Sequence, residues 1–178
     1  MKAKCAQGTV HHAVILNGDS WIKSTIATNT IVMLMKTIHA MTINSKILND
    51  IYYYFDNFDS EKGGTLAIKD DCIVGFFPIS NLDSNANCYS PSFNELNIAF
   101  DMFEKQGWAF FGIIHSHVNG SSKPSKEDFE FFKSFMSVNE QFKTLLFPIV
   151  CLKSGKKDIA WYLFTDNELT KVEIKEEL

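Results

Sequence analysis

Seven apolar residues, Trp108-Ala109-Phe110-Phe111-Gly112-Ile113-Ile114, run without a break into His115-Ser116-His117. Aromatic and β-branched side chains in so short a run read as a buried strand. Val118-Asn119-Gly120-Ser121-Ser122-Lys123-Pro124 follows, a loop by composition. Ser125 then opens a helix whose apolar positions include Phe129, Phe132 and Met136. That succession of strand, loop and helix calls for a sheet with helices packed on it.

The rest of the chain agrees with such a fold. Apolar residues recur at Ile43, Ile47, Ile51, Phe55 and Phe58, a helical repeat ended by Asp56 to Ser60. Two short strands are expected at Gly64–Lys69 and Cys72–Pro78, joined at Asp70-Asp71. A polar loop, Ser80 to Pro91, leads to Ser92 and Glu95, a capping box for a helix carrying Phe93, Leu96, Phe100 and Phe103 and stopped at Gly107. Strands are expected again at Leu145–Leu152 and Ile159–Phe164, with the basic run Lys153 to Lys157 as the turn between them. Leu169–Ile174 reads as a short edge strand before an acidic tail. The fold class is α/β, a mixed sheet flanked by helices, with most of the 16 phenylalanines in its core.

At 178 residues and 46% hydrophobic content the chain suits one domain with a sizeable core. Residues 1–40 form an N-terminal extension of uncertain structure. Thr9–Leu16 and Ser20–Ile26 would pair through Asn17-Gly18, although Met33, Met35 and Met41 leave a later start open. His11 and His12 would face opposite ways there, so joint metal binding is not expected. A formal charge of −4 argues against a nucleic-acid or anionic-membrane binder. Cys5, Cys72, Cys88 and Cys151 show no C-x-x-C pairing and read as reduced thiols. No segment reaches the roughly 18 apolar residues of a membrane span, so a cytoplasmic protein is expected.

The chemistry-bearing groups cluster. In a strand, His115 and His117 point to one face while Ser116 points away, so both imidazoles can close on one ion. Asp128 projects from the first helical turn back toward the strand end, where the helix dipole favours a carboxylate. Two histidines and one aspartate make three protein ligands, the usual number for a catalytic zinc with one position left for water. Alone, an H-x-H pair is more often two ordinary histidines, and Ser125 with Asp128 is more often a cap. The conjunction, in this order, raises the functional reading.

H-x-H, seven residues, S-x-x-D is the signature of the JAMM (JAB or MPN+) metalloproteases, a family this chain resembles residue for residue in spacing. The family's upstream glutamate is matched at Glu61-Lys62-Gly63-Gly64-Thr65-Leu66, although Ile68 stands where a glycine is common. Asn81 and Tyr89-Ser90-Pro91 also resemble the family pattern, and the likeness runs from about Met41 to Thr165. It is nearest the compact prokaryotic branch. The resemblance implies a single MPN/JAB (cytidine-deaminase-like) domain at 41–178. It further implies one zinc with a bound water on His115, His117 and Asp128, with Glu61 as general base and Ser125 as oxyanion donor. The implied reaction cleaves a peptide or isopeptide bond after the C-terminal glycine of a ubiquitin-like protein, in a conjugate or precursor. Ubiquitin-activating-like and conjugating-like proteins are the implied companions. Two alternatives stand beside it: a RadC-like DNA-associated protein, which shares the spacing, and a non-catalytic MPN-type scaffold.

Overall fold

A computed structural model describes residues 41–56, 58–83, 88–153 and 156–177. The expected N-terminal hairpin and the His11-His12 pair lie outside them. The described chain opens on a short strand, β1 (Thr42–Asn44), and a helix, α1 (Ser45–Tyr54). Ile43 thus belongs to a strand, against the helical repeat read from sequence. Asn44 is the reason: it adopts extended backbone and its side chain accepts from the Lys46 amide, starting the helix one residue later.

The hairpin β2 (Gly63–Lys69) and β3 (Cys72–Ile79) turns at Asp70-Asp71, both at positive φ (50° and 62°). Such a turn matches the strands' own twist, and aspartate tolerates it. Helix α2 (Phe93–Lys105) follows, and Gly107 at φ 69° ends it. Its N-terminus is only half the expected capping box. Ser92 accepts from the Glu95 amide, but the Glu95 carboxylate turns to the backbone N–H (2.5 Å) and hydroxyl (2.8 Å) of Ser80. It thereby ties the helix to the end of β3.

Strand β4 (Ala109–His117) leads into helix α3 (Lys126–Val138). The strand expected at 145–152 is divided into β5 (Thr144–Leu146) and β6 (Ile149–Lys153), because Pro148 has no N–H to give a ladder. Both segments still pair with β7 (Lys156–Thr165). Strand β8 (Glu168–Val172) lies at the β7 edge. The expected acidic tail instead forms β9 (Lys175–Glu177), which crosses to the far edge and pairs in parallel with β1. The sheet order is β5-β7-β6-β4-β2-β3-β1-β9, with parallel and antiparallel neighbours. The fold is the expected mixed α/β sheet flanked by helices.

Helices cover both faces. Leu96, Phe100 and Phe103 of α2 and Phe132 and Phe135 of α3 pack with Phe110 and Ile113, while Ile51 and Phe55 of α1 pack with Phe111 and Ile114. A bulge shifts the alternation along β4 by one residue. Leu66 pairs with Gly112 but Ala67 with Phe110, so Phe111 is an extra residue in β4. No helix among the described residues is long and apolar enough to cross a membrane. Cys72 and Cys151 are thiols, whereas Cys88 is disulfide-bonded, correcting the reading of four reduced cysteines; residue spacing alone does not show which sulfurs meet.

Gly112 of β4 lies hard against the backbone of β5. A Cβ there would run into the Leu146 carbonyl, and the Gly112 carbonyl accepts from Thr65 Oγ1 at 3.0 Å. Gly112→Ala should therefore lower stability by about 1–3 kcal/mol, as overpacking does. A urea midpoint equal to wild type would show that β4 and β5 can part at little cost.

Candidate metal centre

The centre is assembled where β4 ends. His115 and His117 are 1% and 4% exposed, on the α2/α3 face of the sheet, and their Nε2 atoms approach to 2.9 Å. Two nitrogens this close cannot both carry a hydrogen between them. Asp128 completes the group, with Oδ1 3.2 Å from His115 Nε2 and Oδ2 3.2 Å from His117 Nε2. One donor atom from each residue lies within 4.8 Å of the others. Ligands on a tetrahedral zinc at about 2.0–2.1 Å stand roughly 3.3 Å apart, so this donor set fits such an ion in spacing and in chemistry.

Each side chain is aimed by local structure. The loop after β4 turns at Gly120 (φ 73°), whose amide donates to the His117 carbonyl. The turn brings the Ser121 carbonyl to 3.0 Å from His117 Nδ1. An Nδ1–H donated there leaves the Nε2 lone pair facing the centre. Tyr162 of β7 holds the same loop, its hydroxyl donating to the Ser122 carbonyl at 2.9 Å. Asp128 is fixed by the helix start it caps: the Ser125 amide donates to its Oδ2 (2.6 Å), and its own amide donates to Ser125 Oγ (3.0 Å). The cap and the ligand reading of Ser125-x-x-Asp128 therefore describe the same geometry.

Glu61 reaches the centre through sheet register. Gly63 pairs with His115, the Ser116 amide donates to the Lys62 carbonyl (2.8 Å), and the Lys62 amide donates to Ser116 Oγ (3.0 Å). Continuing that ladder by one residue sets Glu61 beside His117. Glu61 is 7% exposed. All five residues singled out in the sequence thus sit at one end of the sheet, with Ser125 at the exposed helix start.

Charge in the centre follows from burial and proximity. Burial pushes the Glu61 carboxyl up to about 7, with His117 pulling it down and Asp128 pushing it up. Burial acts on Asp128 in the same upward sense, but hydrogen bonds from the two imidazoles outweigh it and hold that carboxyl well below its usual range. Burial lowers His115; it is also the largest single influence on His117, but the hydrogen bond and charge of Asp128, the charge of Glu61 and the Ser121 carbonyl together outweigh it and raise that imidazole.

Aromatic packing around His115 was not visible in the spacing of motifs. Its ring is stacked between Phe147 (centroids 4.8 Å, 22°) and Tyr89 (5.9 Å, 11°). Tyr89 lies over Gly63, where any Cβ would strike its ring. Phe147 carried no signal at all, since it reads as one more strand phenylalanine.

No family model matches the chain, and no curated protein does. Among solved structures it is similar to protein DSY2949 from Desulfitobacterium hafniense, with a TM-score of 0.63 and 22% identity over 77% of this chain and 92% of that one. A protein from Salinibacter ruber gives 0.50 and 18%, over 77% and 92%. AF2198, a JAB1/MPN domain protein from Archaeoglobus fulgidus, gives 0.45 and 17%, over 76% and 98%. The first two show a shared fold; the looser third overlay carries no weight.

The donor geometry has a direct consequence. The protein should retain one zinc per chain after exhaustive dialysis, and His117→Ala should lose it while keeping its far-ultraviolet circular dichroism. Unchanged zinc content in His117→Ala would place the ion elsewhere.

Proposed function

We propose that this chain is a zinc-dependent peptidase or isopeptidase of the JAMM type, an MPN/JAB domain with residues 41–178 as its working unit. Its substrate would be a ubiquitin-like protein, cleaved after its C-terminal glycine in a conjugate or a precursor. The observation that carries this reading is the position of Glu61. A carboxylate 54 residues before His115 in the chain is delivered by β2 to the flank of His117, as the general base of such a site must be.

Zinc on His115, His117 and Asp128 would supply Lewis acidity, lowering the pKa of its water toward about 7. Every other role falls to the chain. Glu61 accepts the proton of the attacking water and returns it to the departing amine. Its burial keeps its basicity near neutrality, where a proton can be both taken and released. Ser125 Oγ accepts from the Asp128 amide, which does not use the hydroxyl's own hydrogen. That hydrogen is available to an oxyanion, an interaction whose loss typically costs about 3–4 kcal/mol of barrier. Tyr89 and Phe147 prevent the His115 ring from turning.

The complete donor set favours an enzyme over a scaffold, and the charge of −4 disfavours a DNA-associated role. Ubiquitin-activating-like and conjugating-like proteins, in the cytoplasm, complete the proposal.

The test uses a ubiquitin-like protein fused through its terminal glycine to a reporter. Wild type should release the reporter, and Glu61→Gln should keep its zinc yet lose about 10²–10⁴-fold in rate. The base works as a carboxylate, so the rate should fall as pH drops through its pKa. That value is about 7 in the chain alone, and a nearby dication lowers it, so the acid limb belongs at or below neutrality. An acid limb that persists unchanged in Glu61→Gln would remove Glu61 from the mechanism.

A further inference from the structure

Three backbones end side by side at the centre. The β2–β4 ladder sets Glu61 opposite His117, and the β2–β3 ladder, with Gly63 opposite Ile79, sets Glu61 opposite Asn81 on its other side. The β3 backbone does not continue that ladder, because Asn81 turns away to form a bridge with Pro91. Its side chain takes over. Asn81 Nδ2 donates to the Glu61 carbonyl at 3.0 Å and to the Cys88 carbonyl at 2.7 Å. Oδ1 accepts from the Asp83 amide at 3.0 Å and the Ser90 amide at 2.9 Å. Both donors and both acceptor positions of the amide are used.

The four bonds join two things the site needs. One is the backbone of Glu61, which lies beyond the last paired residue of β2. The other is the stretch Cys88-Tyr89-Ser90, whose tyrosine rests on Gly63 and stacks on His115. We propose that Asn81 is the positioning residue for Glu61, clamping the general base to the segment that covers His115. This rests on the reading of Glu61 as the base. An amide suits the task because it alone offers two donors to the carbonyls and two acceptors to the amides. Aspartate in its place keeps the acceptors but sets an oxygen against the carbonyls of Glu61 and Cys88, where no hydrogen can bridge them.

Two variants of the full chain test this, Asn81→Asp and Asn81→Ala, each also made in a Glu61→Gln background. Both single variants should bind one zinc with wild-type affinity, since no metal ligand is touched. Each should lower kcat on the glycine-linked fusion at least tenfold with KM little changed, because a misplaced base loses its effect steeply with distance. In the Glu61→Gln background neither should cause further loss, since a residue that acts through Glu61 has nothing left to act through. An equal, additive loss in that background overturns the proposal and leaves Asn81 a loop staple. A readout independent of turnover is the crystal structure of zinc-loaded Asn81→Asp, in which the Glu61 carboxylate should stand farther from His117 than in wild type. An unmoved carboxylate overturns the proposal whatever the activity. Failure of wild type to cleave any such fusion would instead fall on the proposed function.

Discussion

The register between β2 and β4 is the constraint on which the site depends. Side chains alternate faces along a strand, so a slip of one residue would send both histidines into the apolar cluster under α1 and turn Ser116 toward Asp128. Burying two imidazoles there without partners would cost several kcal/mol. Close contacts lock the register as well. Gly63 lies under the Tyr89 ring and Gly112 against the Leu146 carbonyl, and a slip that moved Phe111 or Ile113 into the place of Gly112 would drive a side chain into that carbonyl. Ser116 adds a lock of its own: its hydroxyl and amide bind both polar groups of Lys62. The residue between the two histidines thus fixes the strand that brings Glu61.

Asp128 shows how the fold and the centre share one group. As the capping carboxylate it satisfies the Ser125 amide, and as the counter-charge it faces two imidazoles. The dipole of α3 favours the same negative charge. Asp128 and Glu61 raise His117 against its burial while burial lowers His115, so the two imidazoles differ in their affinity for a proton. A dication held by these three residues, as proposed, would compete with protons for the same nitrogens. Binding and proton release would then be coupled at the imidazoles.

Much of this was legible in the sequence, and the reasons differ by element. The β4–loop–α3 segment was readable because apolar run, turn residues and cap are contiguous and obey strand and helix periods. The Asp70-Asp71 turn was readable because few residue pairs tolerate positive φ. Ile43 was misread, since its spacing fits a helix while Asn44 starts that helix only after it. Half of the α2 capping box was misread because Glu95 found a tertiary partner in Ser80. The crossing of 175–177 to the far edge of the sheet could not be read, because exposed charged strands carry no periodic signal. Glu61 stood out in the sequence only by likeness to a motif; its nearness to His117 is a fact of long-range pairing.

The same distinction explains why the roles of the centre's surroundings were less legible than those of its ligands. Ligand types are few and their spacing is set by one strand and one helix, so they leave a local trace. Phe147, Tyr89 and Asn81 act from β5's end and from the β3–α2 connection; Tyr89 and Asn81 stood out only by likeness to a family pattern, and Phe147 not at all. What makes them matter is that β3, β2 and β4 terminate at one level, with Asn81, Glu61 and His117 abreast. A sheet whose strands end together exposes backbone groups that have no next rung, and these must find side-chain partners or water. A side chain recruited to that edge is tied to several backbone groups at once, as Asn81 is. Rigidity at the centre thus follows from where the strands stop.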